Sequence, residues 1–227
     1  MSNVMYPWNF GKILFFQVFV DILALLAGVY FLVSKKTFKR FTFLDYAVLA
    51  FFSSQLLSAF FGFDFSQSFF GDQGRASGVF TWLHFGVFYF LLRQFFDAKK
   101  DWFLTGSFAV FIGVASSVLA WLGKYFPDYL SVATFGDRLS GLIGNPIFFA
   151  SYIIFPLFLA FYFFINTPNE AKIKKWLYFS AGVFLLISLV ASEVRGAFVG
   201  LLASIFIIWI FLGFSDLFSK KIRTYIL

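Results

Sequence analysis

Long apolar runs separated by short polar or charged connections fill the chain. A helix needs ~20 mainly apolar residues to cross ~30 Å of hydrocarbon. Seven runs meet that description, at 13–33, 43–63, 79–96, 102–123, 146–165, 176–192 and 197–214. Apolar character continues around each predicted helix, as lipid contact on one side and packing on the other require. The sixth and seventh runs are short and joined by a very tight turn, so they read as a helical hairpin or as a pair with a re-entrant piece. Ser34-Lys35-Lys36 follows the first run where a cleavage site would need small residues, so that run is a span and not a cleaved leader.

Composition agrees with this pattern. Hydrophobic residues make up 61% of the 227 and charged residues 13%, with 41 Phe and a mean hydropathy of +0.86. Soluble domains hold roughly 45–50% apolar and ~25% charged residues. A soluble enzyme, a disordered tail and a disulfide-stapled module are therefore excluded. The expected architecture is an all-α integral membrane protein of about seven transmembrane helices, with residues 1–227 forming a single transmembrane domain. No 20–50-residue repeat and no low-complexity linker divides it. There is no Cys, one His and no Asp-x-Asp pair. Thiolate chemistry and a multi-His metal site are thereby excluded, and neither metal nor cofactor is expected.

The net charge of +7 would suggest nucleic acid in a soluble protein. Here the placement of the charges matters more, and no nucleic-acid partner is expected. Thirteen of the eighteen Lys and Arg fall on one side: Lys35, Lys36, Lys39, Arg40, Arg93, Lys99, Lys100, Lys172, Lys174, Lys175, Lys220, Lys221 and Arg223. The positive-inside rule makes that side cytoplasmic, and these cations anchor loops against anionic headgroups. The N-terminus then lies outside, which leads us to expect a further span upstream. The C-terminal Lys220-Lys221-Ile222-Arg223 run likewise reads as unfinished.

The other face carries Lys12, Arg75, Lys124, Arg138 and Arg195. Three of these are arginines set among glycines: Gly74-Arg75-Ala76-Ser77-Gly78, Arg138 followed by Gly141, Gly144, Asn145 and Pro146, and Glu193-Val194-Arg195-Gly196-Ala197. A guanidinium fork matches phosphate oxygens bidentately. Glycines let the backbone approach a ligand and offer N–H groups. Asn145-Pro146 reads as the N-cap and first-turn Pro of the fifth span, whose positive end faces the outer leaflet. Together these make an anion site at the outer boundary. The competing reading has the arginines snorkelling to lipid phosphates or pairing with Asp72, Asp137 and Glu193.

The run 138–152, followed some forty residues later by Ser192-Glu193-Val194-Arg195-Gly196-Ala197, resembles the O-antigen ligase and polymerase superfamily. Its members carry an Arg-x-x-Gly-x-x-Gly-Asn-Pro segment leading into a span, and a Ser-Arg-Gly-Ala segment opening a later one. Residues 66–84 resemble the family's earlier outer loop, and Phe10-Gly11-Lys12 with the first span resembles its second span. At the last motif the Ser is displaced. The family's long outer loop, with the His usually assigned as catalytic, has no counterpart within 227 residues. The resemblance therefore covers an N-terminal half, and a fragment inactive on its own is expected.

The resemblance implies a partial fold like that of the metal-independent lipid-linked (GT-C-like) glycosyltransferases, in a bacterial cytoplasmic (inner) membrane. It implies transfer of a glycan from a polyprenyl diphosphate carrier to a lipid, glycan or protein acceptor. On that reading Arg195, Arg138 and, more weakly, Arg75 hold the diphosphate, supported by Gly196, Asn145 and Gly144. The partners are the lipid-linked glycan, an acceptor glycan or glycolipid, and membrane lipids. No general base is assigned, and His84 beside Trp82 reads as a hydrogen-bonded structural His. Asp21, mid-span, is expected to face another helix, such as through Gln55 or Ser58, or to stay protonated. The alternatives are a polytopic transporter or lipid-linked glycan flippase, and then a non-catalytic scaffold.

Overall fold

The computed structural model describes residues 7–35, 37–72, 77–127 and 138–214. The described chain is all-helical and divides into two compact units, Met1–Lys99 and Lys100–Leu227. A chain in hydrocarbon must satisfy every backbone polar group internally, and a helix does so within one segment.

The first unit holds α1 (Pro7–Ser34), α2 (Phe43–Phe60), the short α3 (Phe65–Phe70) and α4 (Val79–Phe95). Gln17 Nε2 of α1 donates to Thr81 Oγ1 of α4 at 2.9 Å. One turn further along, Asp21 Oδ1 lies 3.4 Å from His84 Nε2. Phe16 packs on Phe85, and Tyr30 on Phe95. The partners advance in step along both helices, so α1 and α4 run parallel. The start of α2 meets the end of α4 through Asp45 and Arg93, so α2 packs antiparallel on α4. The sequence pattern did not predict α3. Asp64 caps it, accepting from Gln67 N at 3.0 Å; Phe65 stacks on Phe60 and Phe69 packs at a tilt on Phe80.

The second unit holds α5 (Lys99–Tyr125), a 3₁₀ turn (Gly141–Ile143), α6 (Pro146–Asn166), α7 (Lys172–Ala191) and α8 (Arg195–Phe214). Ser107 Oγ and Tyr178 Oη of α5 and α7 lie 2.7 Å apart, and Trp121 Nε1 donates to Ser188 Oγ at 3.0 Å. Those two helices therefore run parallel, with α6 antiparallel beside α7. Leu139, Phe149, Ile153, Leu157, Leu185 and Leu189 are fully buried at the centre, closed by Val194 and Ala197. The lysines at the start of α7 rest on rings: Lys174 Nζ lies 4.5 Å from the Phe103 centroid, and Lys175 Nζ 5.4 Å from that of Phe164.

All seven predicted runs fall on helices, and among the described residues five helices have the length and apolar character to cross a bilayer: Phe10–Ser34, Phe43–Phe60, Lys99–Tyr125, Pro146–Asn166 and Lys172–Ala191. The expected count of seven exceeds this. α4 has 17 residues and carries His84 and Arg93. The sixth run is longer than its apolar part suggested. It begins at Lys172, because lysine stems cover apolar surface while their ammonium groups reach the boundary.

Candidate functional site

The site is built at the end of the second unit opposite Lys172, Lys174 and Lys175. Arg138 enters it from the segment before the 3₁₀ turn. Its Nε donates to the Ser192 carbonyl at 3.2 Å and its Nη2 to the Glu193 carbonyl at 2.8 Å. The next residue repeats the stitch, since Leu139 N donates to the Ala191 carbonyl at 3.3 Å while its side chain enters the core. The last carbonyls of a helix lack intrahelical partners. Here a cationic fork from a segment more than fifty residues earlier supplies them.

The turn that Arg138 grips is strained. Glu193 has φ +54°, a left-handed conformation that L side chains rarely adopt. Buried Ser192 closes the preceding turn, its Oγ donating to the Leu189 carbonyl at 2.6 Å. Buried Val194 then opens α8, its carbonyl accepting from Ala197 N. Arg195 and Gly196 follow as the first exposed residues of α8, and Arg195 enters no ion pair among the described residues.

The segment between Arg138 and α6 is fixed by its own chemistry. Gly141 has φ +54°, and a Cβ there would lie 3.2 Å from both Ala120 Cβ and the Ser116 carbonyl. Gly144 ends the 3₁₀ turn in the left-handed region at φ +79°. Asn145 Oδ1 accepts from Ile147 N at 2.8 Å, with Pro146 opening the helix, as the Asn-Pro pair predicted. Asn145 and Gly144 thus act as cap and turn. What remains exposed and cationic here is Arg195, with Arg138 half-buried against the same turn.

Comparison with family models, with curated proteins and with solved structures finds no match for this chain. The functional reading therefore stands on the geometry and on the motifs.

Arg138 and Arg195 belong to the same turn, one residue, Val194, separating Arg195 from the Glu193 whose carbonyl Arg138 grips. Arg75 and Asp137 lie outside the described residues. Neither Asp72 nor Glu193 forms an ion pair with an arginine among the described residues. His84 is buried in α4, its Nδ1 donating to the Phe80 carbonyl at 2.7 Å. Asp21 turns to His84, not to Gln55 or Ser58. The face of α1 carrying Gln17 and Asp21 packs on α4, a choice that helical period alone leaves open.

The sequence reading missed a second cluster. Asp45 is fully buried and pairs with Arg93 Nε at 2.6 Å, accepting also from Tyr89 Oη at 3.0 Å and Thr42 Oγ1 at 2.6 Å. Arg93 donates onward to the Arg40 carbonyl, and Lys39 pairs with Asp97. Lys39 and Arg93 are therefore more than topological charges: they bind the loop before α2 to the end of α4. The Thr42-x-x-Asp45 capping box was the available signal.

Proposed function

We propose that this chain is the diphosphate-holding part of a membrane glycosyltransferase of the O-antigen ligase and polymerase kind. It would act at the outer face of a bacterial cytoplasmic membrane, in a GT-C-like bundle in which α4 and α8 complete seven spans. One observation supports the reading: Arg138 donates to the Ser192 and Glu193 carbonyls, so it is anchored to the turn that leads directly into exposed Arg195, at the end of the unit that the charge pattern assigns to the outer face.

In such a transfer the acceptor hydroxyl attacks the anomeric carbon and gives its proton to a general base. The bond from that carbon to the carrier's diphosphate breaks, and negative charge grows on the departing oxygens. Donors fixed before the reaction stabilise that charge without reorganising. Arg195 offers an exposed fork at the N-terminal end of α8, where the helix dipole adds to the attraction. Arg138 holds the turn with Nε and Nη2, and its Nη1 would donate to a ligand oxygen. The general base is unassigned among the described residues.

The test is glycan transfer from a polyprenyl-diphosphate donor by membranes carrying the full-length protein. Arg195→Ala is expected to lower the rate by about 10²–10³-fold, the cost of one oxyanion donor. Arg138→Ala should lower it at least as far, since it also frees the turn. Unchanged transfer by both variants at normal expression would defeat the proposal. A second reading, a proton-coupled transporter, is favoured by Asp21 and His84 meeting within a span, where ionisable residues mark relays. Proton uptake by reconstituted vesicles, abolished by Asp21→Asn, would favour it.

A further inference from the structure

The groove between α1 and α4 lies apart from the arginine site. Near the outer ends of these helices Gln17, Asp21 and Phe16 hold α4 close. Further along, where Tyr30 packs on Phe95, a groove of about 330 Å³ is lined by Leu26, Ala27 and Tyr30 of α1, by Leu91 and Phe95 of α4 and by Phe96 just beyond it. Its walls are almost wholly apolar, and its volume lies within the ~300–1,000 Å³ typical of small-molecule sites.

The cytoplasmic end of the groove is cationic. Phe96 lines the groove, and its carbonyl accepts from Lys39 Nζ at 3.5 Å. Lys39 Nζ also donates to the Arg93 carbonyl at 2.8 Å, and Arg93 binds the Lys39 and Arg40 carbonyls, so the loop carrying both cations is held against α4. Lys39, Arg40 and Arg93 are tied to this edge by these contacts, and Lys35 and Lys99 lie close by along the chain. Of these cations, Arg93 is paired with Asp45 and Lys39 with Asp97, and Asp101 follows Lys99 by two residues. Lys35 and Arg40 have no carboxylate against them among the described residues.

We propose that this groove binds one anionic phospholipid of the cytoplasmic leaflet. An acyl chain lies between α1 and α4, and the phosphate meets Arg40, the neighbour of Lys39 in the loop held at the groove's end. An apolar slot in a span that opens on uncompensated cations matches both halves of such a lipid. A zwitterionic lipid offers the same chain but no net charge to the cations.

The protein is extracted in mild detergent, exchanged into mixed phosphatidylglycerol and phosphatidylcholine of equal chain length, and its retained lipid is counted by native mass spectrometry. One phosphatidylglycerol should be retained, with a preference of about tenfold or more over phosphatidylcholine. Arg40→Gln should abolish the preference while leaving chain binding intact. Leu26→Trp, at an exposed position on the groove wall, should lower retention of both lipids. Lipid-free melting of both variants checks that they fold. Equal retention of the two lipids by wild type, or an undiminished preference in Arg40→Gln, would overturn the proposal. Neither outcome depends on glycan transfer.

Discussion

Glu193 shows how one residue can carry strain that its neighbours hold in place. Its left-handed backbone costs an L residue roughly 1–2 kcal/mol, of which glycine's extra chain entropy would return about 0.5–1. Glu193→Gly is therefore expected to leave stability unchanged or raise it by up to about 1 kcal/mol, read as the melting temperature in detergent. A loss of more than that would mean the carboxylate itself makes a needed contact. Asp45 is the opposite case. It is fully buried with Arg93 against it, and removing one partner of such a pair leaves an uncompensated charge at about 3–5 kcal/mol. Asp45→Ala should lose most folded protein at 37 °C, and the double variant Asp45→Ala with Arg93→Leu should recover a large part of it. The Asn145 cap was legible in the sequence because a cap is local. The role of Asp45 was not, because its chief charge partner stands almost fifty residues away.

At the scale of elements, the α1–α4 seam depends on two polar pairs in register, Gln17 with Thr81 and Asp21 with His84. In a bilayer such contacts average about 0.6 kcal/mol and reach about 1.7. A double-mutant cycle on Gln17→Leu and Thr81→Val should return a coupling in that range. Zero coupling would mean the helices are held by their aromatic contacts alone. The helices were readable from hydropathy because the hydrocarbon imposes its length on each of them. The short α3 was not, since a six-residue segment between two spans carries no period to detect. The start of α7 was missed for a related reason: its first turns are lysine-rich and look like a loop.

At the scale of the molecule, sidedness is open to direct measurement. The chain has no cysteine, so any introduced one is unique. Leu142 and Asn169 are exposed and flank the single span α6. Leu142→Cys should react with an impermeant maleimide in intact cells, whereas Asn169→Cys should react only after permeabilisation. The reverse pattern would turn the charge-based orientation around and carry Arg138 and Arg195 to the cytoplasm, ending the diphosphate reading. The parallel course of α5 and α7 brings Lys99, Lys100 and the α7 lysines to one end, as the charge pattern requires.

What the sequence determined by itself was the class of solvent and the form the backbone must take in it. In hydrocarbon, peptide groups are satisfied in helices or in a closed barrel, and continuous apolar runs of about 20 residues select helices and set their positions. What only the tertiary structure decided was which polar group meets which. Faces that touch lipid and faces that touch protein are both apolar, so the pattern leaves each helix's rotation undetermined. Packing therefore chose His84 for Asp21 and Arg93 for Asp45, and set Arg138 on the turn that presents Arg195.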